Sequence, residues 1–291
     1  VTSEVTKETL ELFRLNAFIL MHRQLEKLEK NLSFTCLYKE TIKPLQKRIN
    51  ELLEETNSQH SLELESNNRE IFRFYIELLI MKLPLEENKG DGLRLNEKPY
   101  SYRESNKLLE DLIILRDALI SFGAKTIAYH DVRDMARLVQ TFGFHLAHLD
   151  IRQNSKFHDN AISQLMNAAS MDGDRFLTLN EEERLKFINK ELLSLRPFSY
   201  PKTKLGPEAE AVTSCLRVVA DHVENYGTSA LGSLIVSMTR STSDLLLVYL
   251  LAREAGLLIK TDKGIVCKLP VVPLFETIED LQGSPQILSK F

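Results

Sequence analysis

The chain has 291 residues, 43% hydrophobic and 27% charged, with a net charge of −4 at neutral pH. That length can bury one large or two smaller cores, and the acidic balance argues against nonspecific nucleic-acid binding while leaving room for a small basic pocket. Cys36, Cys215 and Cys267 are scattered without metal-ligand spacing and read as free buried thiols. The longest apolar run, around Leu245–Ala252, is far too short to span a membrane.

The first half reads as helices. Leu10, Phe13, Ala17, Met21, Leu25, Leu28 and Leu32 recur every three or four residues and line one helical face. The pattern continues from Ser33 to Leu53 with a bend or break expected at Pro44. Gln59–Asn68 is polar and reads as a loop, Arg69–Leu83 is helical again, and Glu86–Lys98, with Gly90-Asp91-Gly92, is the best candidate for a mobile loop. Ser101 is placed to cap a helix whose apolar face is Leu108, Leu112, Leu115, Leu119 and Phe122 and whose end is marked by Gly123. A short helix from about Asp131 stops at Gly143.

The second half changes character. Phe144–Arg152 reads as a strand followed by a helix from about Ser155. Helices at Asn180–Leu193 and Pro207–Tyr226 follow, the second with proline in its first turn and Gly227 at its stop. Gly232–Thr239 reads as a strand, Ser243–Gly256 as a helix, Asp262-Lys263-Gly264 as a hairpin turn, and Pro270–Glu276 as a further strand. Thr277 and Asp280 resemble a capping box for one more helix. Strands alternating with helices predict parallel βα units, and three are too few to close an eight-fold barrel. The expected fold is mainly α with a few parallel strands: a helical region over 1–143 and an incomplete, TIM-type α/β barrel over 144–291.

In such a fold, ligands bind at the carboxyl ends of strands. Three segments qualify. In Leu149–Gln153, His148, Asp150 and Arg152 share one strand face, either as a buried Asp150–Arg152 ion pair or as an arginine fork offered to a phosphate or carboxylate. In Ser237–Asp244, hydroxyls and a helix amino end serve either to hold an anion or merely to cap the helix, through Ser241, Thr242 or Ser243. Glu276 ends an apolar strand as a first-turn helix charge or as a ligand for Mg²⁺ or Mn²⁺. His145, His158 and His222 read as structural or surface residues. There is no P-loop, GxGxxG, HExxH or GxSxG.

At these same segments the chain resembles phosphoenolpyruvate carboxylase. Phe142-Gly143-Phe144, Leu149-Asp150-Ile151-Arg152-Gln153-Asn154-Ser155 and His158 are similar to the family's FG…LDIRQ[ED]S…H stretch. Ser237-Met238 with Ser243-Asp244-Leu245-Leu246 resembles SMA…SDVL, and Pro273–Thr277 with Asp280-Leu281 resembles PLFET…DL. Val1-Thr2 looks like the residues after the family's GDRDGNP loop, and an opening valine in place of methionine suggests an excised central fragment. The family's TAHPT, GYSDSNKD and FHGRGG segments and its C-terminal inhibitor site lie outside the chain.

The resemblance implies a cytoplasmic carboxy-lyase that converts phosphoenolpyruvate and bicarbonate into oxaloacetate and phosphate with Mg²⁺ or Mn²⁺, as a homotetramer at full length. It implies that Arg152 contacts the substrate phosphate and that Glu276 is one of two metal-binding carboxylates, the other outside this chain. The family's catalytic histidine and lysine and its second metal carboxylate fall outside the chain, so the fragment alone is expected to be inactive. Asn154 departs from the family's usual acid, which bears on the orientation of Arg152. Arg240 departs from the small residue usual after SM, which bears on the pocket rim. The competing reading is a helical scaffold or interaction domain of the same ancestry without chemistry.

Overall fold

The computed structural model describes residues 6–57, 70–88, 92–200 and 202–291. The expected loop over 59–68, the tip of the 86–98 segment and the Val1-Thr2 match lie outside them. The chain forms two compact units, one of Glu8–Ala147 and one of Thr6–Lys7 with His148–Phe291.

The first unit is helical. Helix α1 (Lys7–Asn31) buries Leu10, Ala17, Phe18, Met21, Leu25 and Leu28. Its partners include α2 (Lys43–Thr56), α3 (Ile71–Met81), α4 (Ser105–Phe122) and α5 (Arg133–Phe142), whose apolar faces close one core. Each buried leucine contributes about 2 kcal/mol. Pro44 stands in the first turn of α2, where its missing N–H costs nothing, so it starts a helix and does not bend one. Ser101 does not cap α4. Glu104 occupies that position, and Ser101 Oγ instead accepts from the Lys98 N–H at 3.1 Å. The segment expected to be a loop forms two antiparallel strands, β1 (Leu85–Asn88) and β2 (Gly92–Leu95). A buried Asp111 on α4 accepts from Arg48 at 2.6 Å, Tyr102 at 2.5 Å and Tyr75 at 3.4 Å.

The second unit carries a three-stranded parallel sheet in the order β3 (Leu149–Asn154), β4 (Leu231–Ser237), β7 (Val271–Pro273). Each strand feeds a helix: α6 (Ser155–Ala168), α9 (Thr242–Glu254) and α10 (Ile278–Lys290). Helices α7 (Glu181–Leu192) and α8 (Pro207–Tyr226) lie between α6 and β4 in the chain, and an antiparallel hairpin of β5 (Leu258–Thr261) and β6 (Gly264–Cys267) precedes β7. Helices α6 and α9 pack on the sheet and on each other, while the face bearing Asp150, Arg152 and Val272 stays exposed.

The strand expected from Phe144 begins only at Leu149. Gly143 (φ 51°) and Leu146 (φ 65°) take left-handed backbone, which breaks extended pairing and turns Phe144 into the helical core against Phe18. His145 and His148 therefore do not lie within a strand.

Candidate active-site half at the strand ends

Arg152 and Glu276, 124 residues apart, meet at the carboxyl ends of β3 and β7. Arg152 Nη2 stands 2.6 Å from Glu276 Oε1, with the two side chains 50% and 34% exposed. The other carboxylate oxygen, Oε2, accepts the Met238 N–H at 3.0 Å, from the end of β4. All three strand ends thus converge on one carboxylate. Glu276 is held just ahead of α10 by a capping box, in which Thr277 Oγ1 accepts from the Asp280 N–H and Asp280 Oδ2 accepts from the Glu276 and Thr277 N–H groups. An ion pair this exposed is worth about 0–1 kcal/mol. It can therefore be exchanged at little cost for another oxyanion, which a planar guanidinium can bind through two parallel N–H groups.

Asp150 does not pair with Arg152. Its Oδ1 accepts the Ser233 N–H at 2.8 Å, where the β3–β4 register slips by one residue. Gly232 makes room for it, since a Cβ there would stand 2.1 Å from Asp150 Oδ1. The aspartate holds a β-bulge, and Arg152 is left to Glu276. Asn154 does not touch Arg152 either. Its Oδ1 accepts the Lys156 N–H at 2.8 Å as the N-cap of α6, a task the family's usual carboxylate performs equally well.

In the loop from β4 into the first turn of α9, donors of Met238, Arg240 and Ser243 bind the protein's own carboxylates. Glu181, in the first turn of α7, takes the Ser243 N–H at 3.0 Å and its hydroxyl at 2.6 Å. Ser241 sits at the N-cap without a capping hydrogen bond to the helix. Arg240 is tied to carboxylates of its own chain. It bonds Asp244 through Nε and Nη2 at 3.1 and 2.8 Å and Asp159 at 2.9 Å. Arg184 binds the same Asp159 at 2.5 Å and Ser243 Oγ at 3.0 Å. Burial works to raise the Asp159 pKa, but hydrogen bonds from Arg184 and Arg240 outweigh it and hold the carboxyl below its usual range. The hydrogen bonds that Arg240 donates to Asp244 push the guanidinium's pKa up. Beside this network His158 is buried with Nδ1 unpartnered, and burial brings its pKa down to about 4 against the pull of Asp244 and Asp159.

The network escaped the sequence reading, although a signal was present. Asp159 lies on the apolar face of α6 with Ile162 and Met166, and Arg184 lies on that of α7 with Ile188 and Leu192. A charge on a buried helical stripe calls for a partner. A hollow of about 550 Å³ in the helical unit is lined by Arg48, Glu55, Lys82, Tyr102 and Asp111, but its main cations are already engaged: Arg48 with Asp111 and Glu55, and Lys82 with Glu55 at 2.5 Å. Among the described residues, no group of three or more His, Cys, Asp or Glu side chains is placed to hold a metal, and no helix is long and apolar enough to cross a membrane. Glu276 is a hard oxygen ligand of the right kind for Mg²⁺, but one carboxylate does not complete a site of six.

The chain matches the family model for phosphoenolpyruvate carboxylase over residues 1–291. It is 38% identical over 189 residues to the phosphoenolpyruvate carboxylase of Rhodopseudomonas palustris (strain BisA53), covering 65% of this chain and 20% of that protein. The Bradyrhizobium diazoefficiens enzyme of the same name gives the same identity and coverage. Phosphoenolpyruvate carboxylase 4 of Arabidopsis thaliana is 34% identical over 221 residues, 75% of this chain and 20% of that protein. The chain thus spans about a fifth of the length of the curated relatives it matches. With its three strand-end motifs and a family match along its whole length, the chain belongs to the phosphoenolpyruvate carboxylase family.

Proposed function

We propose that this chain is the central segment of a phosphoenolpyruvate carboxylase and supplies half of its active site, with 1–143 as a helical region and 144–291 as an incomplete barrel that carries the site. The full-length enzyme carboxylates phosphoenolpyruvate with bicarbonate to give oxaloacetate and phosphate, in the cytoplasm and as a homotetramer. The observation that carries the reading is the contact of Arg152 with Glu276 at the carboxyl ends of parallel strands, both exposed on the uncovered sheet face.

In this reading Arg152 binds the phosphate of phosphoenolpyruvate, and its fork neutralises charge on the phosphoryl oxygens as phosphate passes to bicarbonate. Glu276 orients the guanidinium before substrate arrives and gives one oxygen to Mg²⁺ or Mn²⁺, a second carboxylate coming from elsewhere in the full-length chain. The bound metal would help neutralise the phosphoryl oxygens and the enolate of pyruvate. Asp150 holds the bulge between β3 and β4, Asn154 caps α6, and neither takes part in the chemistry. The family's catalytic histidine and lysine come from outside this chain, so in this reading the segment does not complete the reaction by itself.

The test is oxaloacetate formation by the full-length protein, coupled to NADH oxidation through malate dehydrogenase, across a Mn²⁺ titration. Glu276→Gln is expected to raise the Mn²⁺ requirement at least about tenfold, the cost of one lost charged ligand interaction of roughly 1.4 kcal/mol or more. An unchanged Mn²⁺ dependence removes Glu276 from the metal site. A full-length protein with no carboxylase activity at all favours the scaffold reading instead.

A further inference from the structure

We infer that Ser155 is a positioning residue for the Glu276 carboxylate, acting through the left-handed backbone at Met238. The inference rests on the proposed role of Glu276 and adds the device that fixes it in place. Met238 has φ 55°, a conformation that side chains of this kind rarely adopt. A strained residue persists only when its surroundings over-determine it, and such outliers gather at functional sites.

Two peptide planes flank Met238. The one after it is held at both ends: Ser155 Oγ donates to the Met238 carbonyl at 2.7 Å, and the Thr239 N–H donates to the Leu274 carbonyl at 3.2 Å. The one before it presents the Met238 N–H to Glu276 Oε2 at 3.0 Å. Thr239 Oγ1 closes the turn by donating to the Val236 carbonyl at 2.8 Å. With the second plane pinned, the left-handed φ aims the first plane at the carboxylate.

Ser155 is the first residue of α6, 1% exposed, three positions after Arg152. Its hydroxyl is not needed as a helix cap, because Asn154 already performs that task. One buried hydroxyl therefore ties the end of β3, which carries Arg152, to the end of β4, which carries the donor to Glu276. Arg152 and Met238 then hold the two oxygens of Glu276 from the ends of two neighbouring strands, so a displaced Met238 peptide leaves the carboxylate free to rotate about its own axis.

The experiment is residue-resolved hydrogen exchange on the full-length protein, with Mn²⁺ binding followed by electron paramagnetic resonance on the same samples. Ser155→Ala is expected to speed exchange of the Met238 amide at least tenfold and to weaken Mn²⁺ binding severalfold, with the melting temperature and exchange in α8 unchanged. Ser155→Cys, which keeps a donor at the γ position but a larger and weaker one, moves both readouts the same way by less, and it serves where the alanine variant fails to fold. Ser155→Ala/Met238→Gly is expected to recover most of the loss, since glycine adopts positive φ freely. Met238 exchange that is unchanged in the alanine and cysteine variants overturns the inference whatever the metal does. Accelerated exchange with Mn²⁺ affinity that neither Ser155→Ala nor Glu276→Gln alters upholds the positioning role and overturns the metal role of Glu276 instead.

Discussion

Replacing Arg152 by lysine in the full-length protein separates a substrate grip from a structural ion pair. Lysine keeps the positive charge opposite Glu276 but loses the planar fork. Because the pair is 50% and 34% exposed, its contribution to stability is at most about 1 kcal/mol, and the lysine variant retains part of that. The melting temperature should therefore fall by no more than a few degrees. Loss of a preorganised donor to a developing phosphoryl charge costs about 2–4 kcal/mol in kcat/KM for phosphoenolpyruvate, a decrease of roughly 30- to 1,000-fold. Melting and steady-state kinetics on the same preparation decide the matter. A variant that is destabilised yet kinetically normal would refute the assignment of Arg152 to phosphate.

Other parts of the structure give separate expectations. Asp159→Ala leaves Arg184 largely buried with half its pairing gone and should destabilise the protein by about 3–5 kcal/mol, whereas Arg240→Ala, removing a half-exposed partner, should cost about 1 kcal/mol; chemical denaturation of the two variants checks the order. His158 titrates near 4 when folded and at about 6.5 when unfolded. The unfolded chain thus takes up the proton first, and stability falls as pH drops from about 6.5 to 4, by about 3 kcal/mol across that window. His158→Gln should flatten this part of the profile, and an unaltered slope would show that other groups cause it. The 291-residue chain alone should form no oxaloacetate above background and show no tight stoichiometric Mg²⁺ site by calorimetry, since Glu276 is a single ligand.

The helices were legible because their signals are local. The apolar stripe of α4, Pro207 and Gly227 bracketing α8, and the Thr277–Asp280 capping box appear in the structure where periodicity and end signals put them. The parallel order of β3, β4 and β7 followed from strands alternating with helices. Apolar composition alone did not separate strand from turn at Phe144–His148, where two left-handed residues decide the path. The site was legible as motifs but not as contacts. Pairing Arg152 with Asp150 is the natural reading of neighbours on one strand face, yet a register slip near Gly232 engages Asp150 and leaves Arg152 to a partner 124 residues away. The ion pair of Arg240 was not legible, because Asp159, its distant partner, is visible only once α6 and α9 are packed together.

The most direct measurement is a structure of the full-length protein with Mg²⁺ and an unreactive phosphoenolpyruvate analogue. The account predicts Arg152 guanidinium nitrogens about 2.7–2.9 Å from phosphate oxygens and a Glu276 oxygen about 2.1 Å from the metal, with the present Arg152–Glu276 contact lengthened to admit them. A ligand bound elsewhere, with the 2.6 Å contact between Arg152 and Glu276 undisturbed, would contradict it.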